Sequence, residues 1–526
     1  MNTTSPDRPR APCRTLLLGR RLGGLVALFI ALAATACRAA PASPDTKPVK
    51  YPDNEQEWYV VTLQDAKCGY MYAHADRIGD EIHTRVLMKF EIARGPTKVG
   101  IESEQAYRET LDGRPLAFQF DMTMGKLPMK TVGRVRDGKL ELTTEQMGAK
   151  HEKTYNFDPE ILFPWGLVVE QRRRGLEPGQ SYNVKSYEPS VKPDGPLEMT
   201  VRVHDRETID VLGKPRRLYR ITTTLNLPVA VETESWVDED ATPVITTFDM
   251  GVIQVKMYQA TKEQALADDE APELFLSTLV PVSRQVPASA ASVTYRLRLP
   301  PDSKMRMPDL PDTGMQTFQR VSDHEATLTV RRIDWDRVRS AGADDRPPAA
   351  LAPYLAASAV ADSNDGKIKR LARRAARRAE LPAEKADALR NFVTDYISEK
   401  GLDVGFATAT EVAQTKSGDC TEHGVLLTAM ARAAGLPARG VSGIVQVPPG
   451  PLSAADKSIF GYHMWTQVFI DGQWVDIDAA MRQTDCDPTH IALAIMPLRD
   501  EGMIDSVMSL LPLLGRLEME VVEITE

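Results

Sequence analysis

Cysteine and histidine are scarce in this chain, which narrows the kinds of site that it can build. Five Cys and eight His are spread over 526 residues. Such widely spaced cysteines do not make the dense disulfide framework of small secreted domains, although a Cys68–Cys486 bridge remains open. An excess of basic residues is also lacking, since the formal net charge is −9. That balance argues against a nucleic-acid-binding protein, which needs a basic face to neutralise phosphates.

The N-terminal apolar run is too short for an ordinary membrane-spanning helix, which needs roughly 20 residues. Leu22–Ala36 has about 15 residues and follows five arginines, the pattern of a signal peptide. It leads directly into Cys37 and so resembles a bacterial lipobox, although Ala34 stands where a branched residue is usual. Residues 1–37 are therefore predicted to be a signal peptide with lipidation at Cys37, while plain secretion and a retained anchor remain open. The expected product is exported, periplasmic and membrane-anchored.

The rest of the chain is globular in composition, with 42% hydrophobic and 26% charged residues. Its length predicts roughly two to four domains. Residues 38–50 are rich in Pro and Ala and are predicted to be a tether. Residues 51–260 are predicted to form a large, curved, mostly antiparallel β domain, because β-branched and aromatic runs alternate with turn signals. The predicted strands include Trp58–Leu63, Ile82–Phe90, Leu116–Met122, Arg217–Leu225 and Val252–Tyr258. This domain contains no catalytic constellation.

A shorter β-rich segment and a helical segment follow. Thr261–Pro272 is polar and acidic and is predicted to be a linker. Residues 273–340 are predicted to be a small second β domain, since runs such as Val293–Leu299 alternate between polar and apolar residues. The Pro-containing stretch Gly342–Pro353 marks the next boundary, after which apolar residues recur at helical spacing. Residues 354–526 are therefore predicted to be one domain with a helical lead-in and a C-terminal extension.

Cys420 is the first chemically informative residue of that domain. It follows Gly418 and Asp419 and opens a predicted helix that Gly435 ends. The thiolate is the reactive form of cysteine and a helix N-terminus stabilises negative charge, so the position predicts a lowered pKa for Cys420. The Cys420 N–H is one of the unpaired donors of the first turn and is expected to be available to a developing oxyanion. Cys420 is therefore a candidate nucleophile.

A thiolate nucleophile needs a base and a group that orients the base. Two β-patterned runs flank the turn Asp471-Gly472 and predict a β-hairpin. His463 lies on the first strand and Asp478 on the second, so we expect the hairpin to bring them side by side. Asp476, two residues earlier, is the alternative carboxylate.

Three sequence blocks then carry a family resemblance. They are Gly-Asp-Cys-Thr-Glu-His at 418–423, Tyr-His-Met-Trp-Thr-Gln-Val at 462–468 and Trp-Val-Asp-Ile-Asp-Ala at 474–479. In order and spacing they resemble the core of the transglutaminase-like superfamily in its bacterial form, over residues 404–481. The family commonly has Glu where this chain has Gln467, and often Pro where it has Ala479.

The resemblance implies a papain-like cysteine catalytic domain, so the fold class is α+β with mostly antiparallel β structure before this domain. Carried over by position, it makes Cys420 the nucleophile, His463 the general base and acid, and Asp478 the orienting carboxylate. Asp478 matches the family position and is preferred to Asp476. No cofactor and no metal are implied. A zinc site of Cys420, His423 and His463 is the alternative, but structural zinc sites normally use four ligands with paired spacings.

The implied reaction is acyl transfer at a peptide or amide bond of a peptide or protein substrate, through a thioester on Cys420. Hydrolysis is favoured over cross-linking, and protease, deamidase and transglutaminase remain open. A non-catalytic envelope scaffold that retains the domain is the alternative, because a fold can outlast its activity. His423 is expected to support the site, and Arg439, Trp465 and Trp474 to be structural. Nucleic acid is not expected as a partner, whereas the membrane is, through the lipid anchor.

Overall fold

The computed structural model describes residues 51–526 apart from short gaps. The gaps are residues 95–96, 125–126, 147–148, 190–191, 193–194, 228–229, 250–253, 274–277, 304, 341–348, 400–406, 449–457 and 500–509. The predicted signal peptide 1–37, the lipidation site Cys37 and the tether 38–50 lie outside the described residues, as does most of the predicted boundary at Gly342–Pro353. The described part begins with antiparallel β structure and continues as a mixed region of helices and strands, which confirms the predicted α+β class.

The first sheet contains fifteen strands within the described residues. They are β1 Glu55–Leu63, β2 Ala66–Ile78, β3 Glu81–Arg94, β4 Thr97–Thr110, β5 Pro115–Met124, β6 Leu127–Arg136, β7 Lys139–Gln146, β8 Ala149–Asn156, β9 Ile161–Leu162, β10 Ser181–Ser186, β11 Leu197–Val211, β12 Lys214–Leu225, β13 Val231–Val237, β14 Pro243–Asp249 and β15 Gln254–Ala260. Their order is β8-β7-β6-β5-β4-β3-β2-β1-β15-β14-β13-β12-β11-β10-β9. The strands named from the sequence correspond to β1, β3, β5, β12 and β15.

Alternation of apolar and polar residues explains why these segments are strands with one buried face. In β2, Met71, Ala73 and Ala75 are buried, while the residues between them are partly exposed, which is the period of two of a strand. The turns have matching chemistry. Asp137 and Gly138 have φ of +51° and +69°, as the two-residue turn between β6 and β7 requires.

The first sheet curves far enough for the region after β9 to cover its middle strands. Helix α1, Pro164–Arg174, follows β9 and packs against β3 and β4. The buried carboxyl group of Glu109 on β4 accepts the backbone N–H groups of Trp165 and Gly166 at 2.8 Å each. It therefore satisfies donors of the first helical turn from across the sheet. The curvature predicted from the hairpin pattern is confirmed.

The second sheet contains nine strands within the described residues. They are β16 Val280–Val282, β17 Ser292–Arg298, β18 Gln316–Arg320, β19 Glu325–Arg331, β20 Ala438–Gln446, β21 Ser458–Ile470, β22 Gln473–Ile477, β23 Ile491–Met496 and β24 Glu518–Thr525. The order is β18-β19-β17-β24-β16-β21-β20-β23, and β22 pairs with β21. Strand β16 pairs with β21, and strand β17 pairs with β24. The prediction of a separate β domain at residues 273–340 is therefore wrong, because alternation identifies a strand without specifying its partners.

Six further helices follow the first sheet within the described residues. They are α2 Lys262–Ala265, α3 Trp335–Ser340, α4 Gly366–Ala375, α5 Pro382–Tyr396, α6 Ala409–Thr415 and α7 Cys420–Ala433, with short 3₁₀ helices at Ala349–Tyr354 and Leu511–Leu513. Helix α7 packs against β20 and β21 on one side and against α4, α5 and α6 on the other, so it is buried along nearly its whole length. Cys68, Cys420 and Cys486 are free, so Cys68 and Cys486 are not bridged. Among the described residues, no helix has the length and apolar character to cross a membrane.

Candidate active site

Cys420 is the first residue of helix α7, as its position after the glycine turn predicted. Asp419 is the N-cap, and its carboxylate accepts the backbone N–H of Thr421 at 2.8 Å. Glu422 completes a capping box by accepting the backbone N–H of Asp419 at 2.9 Å. The cap uses the N–H of Thr421 and leaves that of Cys420 without an acceptor among the described residues. A donor therefore remains at the nucleophile's own position.

Gly418 holds the turn that leads into α7. Its φ is +153°, and a Cβ at this position would lie 2.2 Å from Cβ of Glu422. The Glu422 carboxylate holds the backbone N–H of Ala407 at 3.1 Å as well as that of Asp419. A side chain at position 418 would displace this carboxylate, so the close approach requires glycine.

The expectation that the hairpin brings His463 and Asp478 side by side is confirmed. Strands β21 and β22 pair antiparallel around Asp471 and Gly472, both of which have positive φ. His463 lies on β21, and Asp478 directly follows β22. Nε2 of His463 and Oδ2 of Asp478 are 2.5 Å apart, and each side chain is 1% exposed. Nδ1 of His463 is buried and has no hydrogen-bond partner among the described residues.

Cys420 reaches the hairpin through the packing of α7 on β21. The hydroxyl of Thr466 on β21 donates to the carbonyl of Gly424 on α7 at 3.0 Å. The backbone of Met464, the residue after His463, hydrogen bonds to the thiol of Cys420. The predicted nucleophile therefore contacts the strand that carries the predicted base, next to that base.

The pKa of Cys420 runs against the prediction from the helix N-terminus. Burial raises this pKa well above its ordinary value, and the negative charges of Asp419, Glu422 and Asp478 act in the same direction. The hydrogen bond from the Met464 backbone lowers it without offsetting burial. The prediction of a lowered pKa is wrong for the resting site, because burial of the charge outweighs the partial positive charge of a helix terminus. Cys420 is therefore a thiol until a base takes its proton.

Asp478 is held in its ionised form by its partners. Burial alone would raise the pKa of Asp478, but the charge of His463 and hydrogen bonds from His463 and His490 hold it well below the usual range. The other oxygen, Oδ1, accepts the backbone N–H of Met481 at 2.9 Å. A negative carboxylate fixed on both oxygens is suited to orient an imidazole and to stabilise an imidazolium.

Asp476, the alternative carboxylate, has a different partner. Its Oδ1 accepts the indole N–H of Trp465 at 2.5 Å. Trp465 in turn stacks on the imidazole of His463, with ring centroids 6.0 Å apart and an interplanar angle of 24°. Trp465 therefore borders the site as well as packing the hairpin. Trp474, by contrast, packs under the guanidinium of Arg439, whose Cζ lies 3.9 Å from the centroid of the indole ring. The structural role of these two residues stays a prediction.

One protein family matches the region that contains these residues. Residues 369–479 match the family model of the transglutaminase-like superfamily. This region is a transglutaminase-like domain. The match starts earlier than the resemblance at residues 404–481 and includes most of α4 and the whole of α5, α6 and α7. No curated protein sequence matches the chain.

Several solved structures are similar to parts of the chain at low sequence identity. A candidate cysteine protease from Cytophaga hutchinsonii has 15% identity and a TM-score of 0.29, covering 44% of this chain and 86% of that one. A β-barrel-like protein of the domain of unknown function DUF1849 from Brucella abortus has 14% identity and a TM-score of 0.31, covering 40% and 98%. A candidate protease from Parabacteroides distasonis has 11% identity and a TM-score of 0.18, covering 68% and 64%. At these TM-scores the likenesses support no conclusion about mechanism.

His423 supports the start of the helix that carries Cys420. Its Nδ1 lies 2.6 Å from the backbone carbonyl of Asp419, one helical turn earlier. With a proton on Nδ1 this ring donates to the N-cap residue. His423 therefore helps to fix the helix terminus of the transglutaminase-like domain, in agreement with the supporting role expected from the sequence.

A buried histidine that the sequence reasoning missed, His490, lies beyond the matched residues 369–479 and contacts the same carboxylate. Nε2 of His490 lies 3.1 Å from the same Oδ2 of Asp478 that contacts His463. The available signal was the scarcity of histidine, with eight in the chain. His463, Asp478 and His490 offer possible metal-ligand atoms within 4.8 Å of one another, whereas the zinc set of Cys420, His423 and His463 is not found among the described residues. Hydrogen bonds account for the approach of the first three groups.

Proposed function

We propose that the transglutaminase-like domain is an exported, cysteine-dependent acyl-transfer enzyme that acts on peptide or amide bonds, with hydrolysis favoured over cross-linking. Cys420 is the nucleophile, His463 the general base and acid, and Asp478 the carboxylate that orients the base. The observation that carries the proposal is that the two ring nitrogens of His463 have different environments. Its Nε2 is bound to Asp478, while Nδ1 has no partner among the described residues and lies on the strand that contacts Cys420.

Asp478 sets the tautomer of His463. An ionised carboxylate only accepts hydrogen bonds, so Nε2 carries the proton and Nδ1 keeps its lone pair. Nδ1 takes the proton from Sγ of Cys420, a step that the raised pKa of the thiol makes necessary. The imidazolium that forms is stabilised by Asp478 on one side and by the new thiolate on the other.

Acylation follows from this ion pair. Sγ of Cys420 attacks the carbonyl carbon of the substrate, a C–S bond forms, and the carbonyl π electrons move to oxygen. The Cys420 N–H at the helix start donates to this oxyanion. When the intermediate collapses, the C–N bond breaks, and Nδ1–H of His463 gives its proton to the leaving amine. The product of this half-reaction is a thioester.

Deacylation reverses the roles. His463 removes a proton from water, the oxygen attacks the thioester carbon, and the C–S bond breaks as the acid leaves. The proton returns to Sγ of Cys420 and restores the resting thiol. A primary amine in place of water would give an amide by the same steps, so hydrolase and transamidase chemistry share one site.

Substrate profiling of the full chain tests the proposal. Wild type, Cys420→Ala, Cys420→Ser and the control Cys68→Ala are assayed on peptides and on Gln- or Lys-bearing proteins. We expect turnover to be abolished in both Cys420 variants and retained in Cys68→Ala, whose buried cysteine lies in the first sheet. Turnover by Cys420→Ala on any substrate of the wild type would refute the assignment.

Export and lipidation are proposed from the sequence around Cys37, which lies outside the described residues. Mature protein is expected to partition into detergent, and Cys37→Ser to leave a soluble or unprocessed form. Mass spectrometry of the mature N-terminus provides the direct measurement. An unmodified N-terminus directly after Ala36 would refute lipidation and retain export.

A non-catalytic scaffold is the second candidate, and the burial of Cys420 favours it. Cys420 is only 5% exposed, so the resting site presents little of this residue to a large substrate. A scaffold predicts no Cys420-dependent turnover and the same alkylation rate of Cys420 in wild type and in His463→Ala. The enzyme predicts a difference in both measurements.

A further inference from the structure

Asp478 accepts two histidine N–H groups on one oxygen. Oδ2 lies 2.5 Å from Nε2 of His463 and 3.1 Å from Nε2 of His490, and all three side chains are 1% exposed. An ionised carboxylate cannot donate, so both imidazoles carry a proton on Nε2. The proposed triad uses the first of these bonds. The second bond has no part in it.

His490 is held rigidly by its own turn and by a distant strand. Its backbone N–H donates to the carbonyl of Asp487 at 3.1 Å. The Asp487 carboxylate accepts the backbone N–H and the hydroxyl of Thr489 at 2.9 and 2.5 Å. From β17, the hydroxyl of Tyr295 donates to the carbonyl of Pro488 at 2.9 Å. A histidine anchored in this way is a fixed hydrogen-bond donor.

The polar groups that surround the His490 ring favour its protonated form. The indole of Trp465 meets it edge-on, with centroids 5.3 Å apart and an angle of 89°, and the same indole stacks on His463. Nδ1 of His490 lies 3.7 Å from Oδ1 of Asp487, and Cys486 contacts the ring. Burial opposes a positive charge, but Cys486 and the carboxylates of Asp478 and Asp487 raise the pKa of His490 well above its ordinary value.

We propose that His490 is a positioning residue: its Nε2–H fixes Oδ2 of Asp478, which keeps this carboxylate ionised and directed at His463. The inference rests on the proposed function, since it assigns His490 to the same site. Burial favours the neutral form of a carboxyl group, so a buried Asp478 that lost one donor would protonate or rotate more readily. A neutral or misdirected Asp478 cannot stabilise the imidazolium of His463.

A metal ion held by the three groups is the competing use of this cluster. Two ligands of one zinc ion, each about 2.1 Å from it, stand roughly 3 Å or more apart. Nε2 of His463 and Oδ2 of Asp478 are 2.5 Å apart, which is a hydrogen-bond distance. The spacing therefore favours hydrogen bonds over a shared metal ion. Evidence that His490 binds a metal would overturn the inference.

Two substitutions of His490 separate its hydrogen bond from its bulk. Gln places an amide N–H near the position of Nε2, whereas Phe keeps the ring volume and has no donor. The readout is the rate of Cys420 alkylation by iodoacetamide between about pH 5 and pH 9, with and without EDTA. Mass spectrometry of peptides separates Cys420 from Cys68 and Cys486. The full chain is used, with His463→Ala alongside.

We expect His490→Phe to lower the alkylation rate of Cys420 near pH 7 by about tenfold, as loss of an outer hydrogen-bond partner does at metal sites. Its pH profile should move towards that of His463→Ala. His490→Gln should stay within about threefold of wild type, because the hydrogen bond is retained. Equal rates in wild type and His490→Phe, or equal losses in the Phe and Gln variants, would overturn the inference. So would an EDTA effect on wild type that His490→Phe lacks.

Failure of the proposed function gives a different result. If His463→Ala alkylates Cys420 with the wild-type pH profile, the base assignment itself is wrong, whatever His490 does. If His463→Ala differs from wild type and His490→Phe does not, only the positioning role is wrong. Should His490→Phe not fold, His490→Asn replaces it, because its shorter amide does not reach Asp478, and the comparison with His490→Gln is unchanged.

Discussion

Asp476 and Trp465 form a hydrogen bond within the hairpin, with Oδ1 and Nε1 2.5 Å apart. This carboxylate is engaged by an indole, and His463 is bound by Asp478 instead. Asp478→Asn keeps the shape but can present an N–H to a ring that also donates, so we expect it to slow acylation by orders of magnitude. Asp476→Asn retains an oxygen for Trp465 and should change the rate by less than about threefold.

The two Asn variants serve as each other's control, because they remove one charge from neighbouring positions of one strand end. The measurement is the acylation rate on any substrate with Cys420-dependent turnover. If Asp476→Asn proved crippling and Asp478→Asn silent, the carboxylate would be misassigned by two residues.

The negative charge of Asp419 contributes to the raised pKa of Cys420. Asp419→Asn keeps a side-chain oxygen for the N–H of Thr421, so the cap is preserved while the charge is removed. We expect the midpoint of Cys420 alkylation to move to lower pH. Asp395→Asn, an exposed charge removed from α5, is the matched control and should leave the midpoint in place. A midpoint that stays or rises in Asp419→Asn would contradict the electrostatic account.

Arg432 joins the end of α7 to two loops. Its guanidinium donates to the backbone carbonyls of Ala438, Ala356, Leu498 and Pro497 at 2.6–3.1 Å. Lysine is a single point donor and leaves several of these buried carbonyls unpaired, so we expect Arg432→Lys to lower the free energy of unfolding by about 3 kcal/mol.

Denaturant unfolding followed by near-UV circular dichroism measures the effect of Arg432→Lys. The matched control is Arg373→Lys on the exposed face of α4, which should change the free energy of unfolding by less than about 0.5 kcal/mol. Equal changes in the two variants would show that the carbonyl contacts contribute nothing.

Glu109 should make the first sheet less stable as pH rises. Burial raises the pKa of Glu109 to about 8, and the N–H groups of Gly166 and Trp165 lower it only in part. Since the unfolded pKa is about 4.3, the folded state binds the proton more tightly. The stability from this group is full below about pH 4.3 and is lost as pH rises through about 8.

Glu109→Gln cannot ionise and should flatten the pH dependence of unfolding between about pH 5 and pH 8. The measurement is the unfolding free energy at several pH values across that window. Glu102→Gln, an exposed residue on the same strand β4, is the control and should keep the wild-type slope. A slope unchanged in Glu109→Gln would mean that Glu109 is ionised in the folded protein.

Local patterns predicted local structure well. The turn residues Asp471 and Gly472 placed the hairpin, because a two-residue turn with positive φ fits few other residues. Gly418 and Asp419 placed the start of α7, because only certain residues satisfy the first helical turn. The strands of the first sheet followed from alternation. Each of these features depends on residues within a few positions of one another.

The sequence by itself determined where Cys420, His463 and Asp478 stand on their elements, since spacing and turn chemistry are properties of the chain. Only the tertiary structure decided that residues 273–340 share a sheet with the transglutaminase-like domain, and that His490 bonds to Asp478. It also reversed the expected pKa shift of Cys420. Strand partners, convergent side chains and burial depend on residues distant along the chain. At Cys420 the desolvation penalty of a buried thiolate exceeds the stabilisation that the helix N-terminus provides.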